Sequence, residues 1–196
     1  MGRMGTELVV VESPAKAKTI RGILGPGYRV LASMGHVRDL PRKSLGIDVE
    51  KAFRARWVIA SKKRDVVKRL RNAAQETDAV YLATDLDREG EAIAWHVLRL
   101  LKLPKDVPVH RVTFHEITPA ALQTAFRQTK QLNNNLVEAQ QTRRILDRLA
   151  GYKISPLLWR RIKGKKGLSA GRVQTVALRL VVDREREIEA FEPVEY

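Results

Sequence analysis

A glutamate, a lysine and a knot of acids have the types and spacing to support chemistry in this chain. Glu12 ends the run V-V-V-E-S-P-A-K, and Lys16 follows four residues later. Further on, A-V-Y-L-A-T runs into D-L-D-R-E-G-E, which sets Asp85, Asp87, Glu89 and Glu91 around Arg88 and Gly90. Both apolar runs read as strands, and functional groups in an open α/β sheet gather at the carboxyl ends of its strands. If the two strands are neighbours, Glu12, Asp85 and Asp87 converge. Asp85 and Asp87 are two apart, so an extended segment points them the same way. Magnesium takes one or two carboxylates, keeps several waters and completes its shell with phosphate oxygens. The acids alone fit that use, and they also fit capping, because carboxylates in a first helical turn favour the positive end of the dipole. Capping accounts for one or two of the four but not for Glu12, which precedes its helix. Lys16 falls in the first turn after Ser13-Pro14, where backbone N–H groups favour an anion. By residue type alone it reads as a solvated helix lysine.

The elements that must position these residues follow from pattern. Residues 8–12 form the first strand, and Ser13-Pro14 supplies an N-cap with proline at the first helical position. A-K-A-K-T-I-R-G-I-L reads as a helix ending at Gly25-Pro26-Gly27. Strands are expected at 28–33, 57–60, 79–84 and 109–114, helices at 63–75 and 89–101, and a loop at 41–56. Strands alternating with helices predict a parallel, doubly wound α/β sheet over residues 6–117. After Pro119 only helical periodicity remains, at about 119–130, 136–150, 155–163 and 171–190, so residues 118–196 form an α-helical segment. Within A-Q-Q-T-R-R-I-L-D-R-L-A-G-Y-K, Ala139, Leu146 and Leu149 mark the apolar side. Arg144 and Arg148 lie about 160° from Leu146 at roughly 100° per residue and are expected to project outward. Arg143 and Asp147, four apart, can pair.

Composition narrows the partners. Of 196 residues, 37 are Lys or Arg and 22 Asp or Glu, a net charge of +15. Such a field favours a polyanion, with nucleic acid ahead of an anionic membrane, and no apolar run is long enough to span a bilayer. The absence of cysteine excludes disulfides, cysteine-based zinc sites and thiol chemistry. The four histidines lack zinc-site spacing. With no secretory pattern at the N-terminus, the expected compartment is the cytoplasm. The run R-R-I-K-G-K-K at 160–166 has five basic residues in seven. Such runs are usually solvated, but the glycines and small residues of the adjoining G-L-S-A-G-R-V-Q leave backbone N–H groups open to phosphate.

Four motifs, V-E-S-P-A-K-A-K-T-I, G-H-V-R-D-L-P at 35–41, D-L-D-R-E-G-E-A-I at 85–93 and G-L-S-A-G-R-V-Q at 167–174, occur in an order that resembles the bacterial type IA DNA topoisomerases. The resemblance runs through essentially the whole chain. D-x-D-x-E is common to TOPRIM domains, including those of primases and some nucleases, whereas the first and last motifs are far more specific. The resemblance implies a TOPRIM domain, Rossmann-like with flanking helices, and then the first part of a larger helical domain. It implies an ATP-independent isomerase that relaxes negatively supercoiled DNA through a transient 5′-phosphotyrosine link, in a bacterial, nucleoid-associated setting. Glu12 then matches the acid that protonates the leaving 3′ oxygen, and Lys16 a lysine that holds the scissile phosphate. Glu12, Asp85, Asp87 and Glu89 match a Mg²⁺ site. Ser169, Ala170, Gly171, Arg172, Val173 and Gln174 match a segment contacting single-stranded or underwound DNA, with His36, Arg144, Arg148, Lys153 and Arg160 near the same groove. From the residues alone, His36 is a turn histidine satisfied by backbone, and Tyr152 and Trp159 read as core rather than as base-stacking groups.

The family's nucleophilic tyrosine lies in a context like Y-M-R-T-D-S, and none of Tyr28, Tyr81, Tyr152 or Tyr196 has it. The expectation is an N-terminal fragment that needs the remaining domains of a full-length enzyme and does not cleave DNA alone, leaving an apolar face open. Two other readings compete: a standalone TOPRIM nuclease or primase-like protein, and a non-catalytic nucleic-acid-binding module.

Overall fold

The computed structural model describes residues 6–163 and 167–194. Its centre is strand β1 (Thr6–Val11), in which Leu8, Val9, Val10 and Val11 are all fully buried. A parallel strand covered on both faces reads as a continuous apolar run, and this one does. Ser13 caps helix α1 (Pro14–Leu24), its Oγ accepting from Lys16 N at 3.3 Å, and Pro14 fixes φ at the first turn. The helix stops at Gly25, whose φ of 82° suits a residue without Cβ.

The chain returns as β2 (Tyr28–Ala32) and then makes a small excursion. Strand β3 (Arg38–Asp39), the hairpin of β4 (Ile47–Asp48) with β5 (Arg54–Ala55), and β6 (Val58–Ile59), which pairs antiparallel with β3, occupy it. Thus 41–56, expected as loop, holds a hairpin of two-residue strands too short for a periodic signal. Helix α2 (Arg64–Ala74), β7 (Thr77–Leu82), α3 (Arg88–Leu101) and β8 (Val109–Arg111) complete the wound unit. The four-stranded sheet has order β2-β1-β7-β8, all parallel.

Alternation in the sheet divides the core in two. Leu8, Val10, Val80 and Leu82 face α2 and α3 through Val67, Leu70, Ile93 and Val97. Val9, Val11, Val30 and Val112 face the other way, onto Ile20 of α1 and Leu122 of helix α4 (Pro119–Arg127). Each fully buried Val or Leu contributes about 1.5–3 kcal/mol. Helix α4 therefore belongs with the sheet by packing, and Lys130 extends it by an antiparallel bridge to Arg111.

Beyond Lys130, the described residues form two helices, α5 (Asn134–Arg161) and α6 (Arg172–Glu189). In place of the two separate helices expected over 136–163, one continuous helix runs through Gly151 and Pro156. The expected orientation of α5 is also reversed. Val137 and Gln140 are buried against the α/β unit, Arg144 bonds to Asp39 of β3 and Arg148 to Pro41 just beyond it, while Leu146 is 59% exposed. The segment below α5 offers a carboxylate and a carbonyl rather than an apolar surface, so the guanidiniums turn inward. Tyr152 and Trp159 are exposed, not core, and α6 exposes Val173, Val176, Leu180 and Val181.

Candidate active site

Strand order reverses direction between β1 and β7: the chain winds outward to β2 and then returns to the far side of β1. Crevices form at the carboxyl ends of strands at such a switch point. Glu12 follows β1 and Asp85 follows β7, so the topology brings together the two acids the sequence singles out. Asp85 N donates to Glu12 Oε2 at 3.1 Å, and Gly35 N to Glu12 O at 2.8 Å. Between the two carboxylates sits the Lys16 ammonium, which pairs with Glu12 Oε1 and Asp85 Oδ1. Partial burial works against its charge, but the bonds to Asp85 and Glu12 prevail and raise its pKa.

Asp87 and Glu89 do not join them. Asp87 is the N-cap of α3, its Oδ1 accepting from Gly90 N at 2.7 Å. Glu89 turns toward α5, where Oε2 meets His36 Nε2 at 3.0 Å and accepts from Gln140 Nε2 at 3.1 Å. The four-carboxylate cluster is therefore absent from this structure, and among the described residues no three His, Asp or Glu side chains stand together as a metal site. Capping claims one acid and a contact with α5 another. Glu12 and Asp85 nevertheless fit a cation, since their oxygens already converge on an ammonium.

Behind Asp85 lie groups that sequence reasoning missed. Arg111 is 1% exposed and spends its whole guanidinium internally. Nε donates to Glu91 Oε1 (2.7 Å), Nη1 to the carbonyls of Leu82 (2.9 Å) and Val112 (2.6 Å), and Nη2 to Asp85 O (2.7 Å). Glu91 Oε2 accepts from Asn133 N at 3.1 Å, at the start of α5. Gly90 is equally constrained, because a Cβ there would fall 2.1 Å from Asp85 O. A lone arginine in the apolar strand segment V-H-R-V is the available signal for Arg111. For Gln140 there is none.

The nucleic-acid residues divide by position. Arg144 grips Asp39 with two bonds, Nε to Oδ1 at 2.8 Å and Nη2 to Oδ2 at 2.7 Å. Arg148 donates to Pro41 O at 3.1 Å and lies 5.4 Å from the Tyr152 ring centroid. His36 is bound by Glu89 rather than by backbone. The G-L-S-A-G-R segment docks on α5: Ala170 N donates to Ser155 Oγ at 3.1 Å, and Trp159 Nε1 to Leu168 O at 2.5 Å. Arg172, expected on DNA, holds Asp147 through bonds of 2.9 and 3.1 Å, which displaces the expected Arg143–Asp147 pair. Ser169, Val173 and Gln174 are exposed, Ala170 and Gly171 half-buried, and Lys153 and Arg160 exposed on α5. Residues 164–166 of the basic run and Tyr196 lie outside the described residues. Of the other tyrosines, Tyr28 and Tyr81 pack in the sheet's second core, and burial pushes Tyr81 up to about 12.

Comparison with known proteins bears on the family of the chain. The Toprim domain matches residues 7–117, and the DNA topoisomerase family matches residues 131–196. Full-length topoisomerase I from Thermotoga maritima shares 48% identity and a TM-score of 0.83, over 96% of this chain and 32% of that one. The chain thus spans about a third of that protein's length. With its motifs in family order on a Toprim fold, the chain belongs to the bacterial type IA DNA topoisomerases.

Proposed function

We propose that this chain is the phosphate-, metal- and strand-handling part of an enzyme that relaxes negatively supercoiled DNA at the bacterial nucleoid by transient single-strand cleavage. The convergence of Glu12, Lys16 and Asp85 at the switch point carries this reading. In cleavage a tyrosine oxygen, supplied from outside this chain, attacks phosphorus and the P–O3′ bond breaks. The tyrosine proton leaves to solvent as that oxygen attacks. Glu12, in its protonated state with Lys16 turned from its carboxyl to the phosphate, gives its proton to the departing 3′ oxygen, and Lys16 holds the negative phosphate against the first turn of α1. Mg²⁺ is proposed at Glu12 and Asp85, with Asp87 and Glu89 adding negative charge; a bound divalent ion would stabilise charge on phosphate oxygens. His36, Arg144, Arg148, Lys153, Arg160 and residues 169–174 are proposed to line the path of a single or underwound strand. A standalone nuclease or primase-like protein is not favoured, because residues 131–196 match the topoisomerase family rather than either.

The test combines two measurements on this chain. Calorimetry should detect Mg²⁺ binding that Asp85→Ala with Asp87→Ala abolishes. A single-stranded oligonucleotide should bind with marked salt dependence yet form no covalent adduct with Mg²⁺ present. Unchanged Mg²⁺ binding in the double variant would remove the metal site, and metal-dependent scission by the chain alone would restore the nuclease reading.

A further inference from the structure

Among the described residues the sheet ends at β2, which pairs only with β1. The ladder between them includes Glu7 N donating to Gly27 O at 3.1 Å and Ser33 N to Val11 O at 2.8 Å. Alternation in a parallel ladder then turns the backbone groups of Tyr28, Val30 and Ala32 away from β1. Two of those groups are already taken: Tyr28 N donates to Gly25 O at 3.4 Å, at the start of the strand, and Arg21 Nη2 donates to Val30 O at 2.8 Å. A cationic side chain from α1 thus stands over an open strand edge, a position that otherwise invites another strand.

Two troughs lie end to end along this edge, between α1 and α2. One, of about 440 Å³, runs past Pro26 and Tyr28 to Ala73 and Thr77. The other, of about 360 Å³, is floored by Ala17, Leu31 and Leu70. Arg21, Val30 and Leu31 line both, so the troughs meet where the arginine caps the strand. Lys18, Arg21 and Arg69 rim the second trough, and among the described residues no carboxylate lines it. In the first, the carboxylate is Glu76, which Arg29 Nη1 holds at 3.2 Å.

We propose that the β2 edge docks an extended acidic peptide segment of a partner protein. The segment adds as a further strand along the groove. One of its carboxylates takes the Arg21 guanidinium from Val30 O, which frees that carbonyl to accept a backbone N–H from the incoming strand. Strand addition draws affinity from main-chain bonds and specificity from side-chain pockets. The apolar floor and cationic rim select a segment that alternates aliphatic and acidic residues. A second copy of this chain is a poor occupant, because its net charge of +15 opposes edge-to-edge approach. A nucleic-acid strand would meet the cations but has no peptide groups to return to the strand edge.

The test uses the ¹⁵N-labelled chain and a fluorescent octapeptide of four Val-Glu repeats, beside the same peptide N-methylated at alternate residues. Amide shifts should concentrate in Tyr28–Ala32 and in the facing turns of α1 and α2. N-methylation, which leaves charge unchanged and needs no protein variant, should weaken binding at least tenfold. Arg21→Glu should do the same, with Lys105→Glu, exposed near the opposite edge of the sheet, as a control of equal charge change that leaves binding within twofold. Equal binding of the methylated peptide, or shifts confined to α5 and α6, would overturn the proposal. So would displacement of the peptide from β2 by oligothymidylate, which would make this edge a general polyanion surface.

Discussion

Arg111 carries Asp85 from beneath: its Nη2 donates to the Asp85 carbonyl at 2.7 Å, while its Nε holds the buried Glu91 at the same distance. One side chain thereby links a proposed ligand carboxylate to the residue that anchors Asn133 at the head of α5. Removing it leaves Glu91, 2% exposed, charged and half-satisfied. Arg111→Leu should therefore cost roughly 3–5 kcal/mol, because an unpaired buried charge dominates the loss. The double variant with Glu91→Leu should recover part of that. Urea unfolding of both variants checks it. A double variant no more stable than the single one would mean that the pair is not coupled.

The Asp39–Arg144 contact makes the seating of α5 acid-sensitive. Burial alone would raise the Asp39 pKa, but bonds from Arg144 and Leu40 outweigh it and hold the carboxyl below its ordinary 3.8. A depressed acid stabilises the folded state above its unfolded pKa, and the contribution is lost as pH falls through the lower folded value. Both partners are about one-third exposed or more, so the effect is limited to about 1 kcal/mol. Protection of the α5 amides, taken relative to the intrinsic exchange rate at each pH, should fall below about pH 4, and Asp39→Asn should show faster exchange than the parent already at pH 6. Exchange in the variant that matches the parent at pH 6 would remove Asp39 from the interface.

How much of this is legible in the sequence follows from where the determining forces lie. The β-branched run before Glu12, the Ser13-Pro14 cap and the Asp85 segment are local signals, and each becomes the element expected. The meeting of Glu12 and Asp85 needs only the assumption that their strands are neighbours. The orientation of α5 is not legible, because it is set by Asp39 and Pro41, about a hundred residues away in sequence, and not by apolar period. Pro156 and Gly151 suggest a break that docking of residues 168–170 overrides. The spread of the four acids is half legible: capping competes visibly for them, but Gln140, which draws Glu89 away, comes from a helix whose arginines read as pointing outward.

Gly90 offers a steric test of the same loop. A methyl group there would meet Asp85 O at 2.1 Å and the Asp85 carbonyl carbon at 2.8 Å, both backbone atoms unable to rotate aside. Thr84 Oγ1 donating to Gly90 O at 2.7 Å pins the other side. Gly90→Ala should destabilise by about 1–3 kcal/mol, as overpacking does, and weaken Mg²⁺ binding by moving Asp85. Gly22, on the exposed side of α1, is the control, because a methyl group there would have nothing within 4 Å. Gly22→Ala should raise stability by roughly 0.5–1 kcal/mol. Thermal melts of the two in parallel separate the effects, and equal melting temperatures would contradict the close approach at Asp85.

Lys16 and a divalent cation compete for the same oxygens. The ammonium already pairs with both Glu12 and Asp85, offsetting one of their two charges, and its raised pKa keeps it charged beyond the ordinary lysine value of 10.5. A cation binding those carboxylates must therefore displace it, which turns Lys16 outward as a free positive charge for phosphate. Lys16→Met removes the competitor and the phosphate ligand together, so two affinities should move in opposite directions. Mg²⁺ should bind on the order of tenfold more tightly, equivalent to about 1.4 kcal/mol, while a single-stranded oligonucleotide binds more weakly. Calorimetry with each ligand separates the two. Tighter metal binding with unchanged DNA affinity would leave Lys16 as a counter-ion alone. Unchanged metal affinity would mean that Glu12 and Asp85 are not where the cation binds, because a ligand that shares those oxygens must respond to the loss of the charge between them.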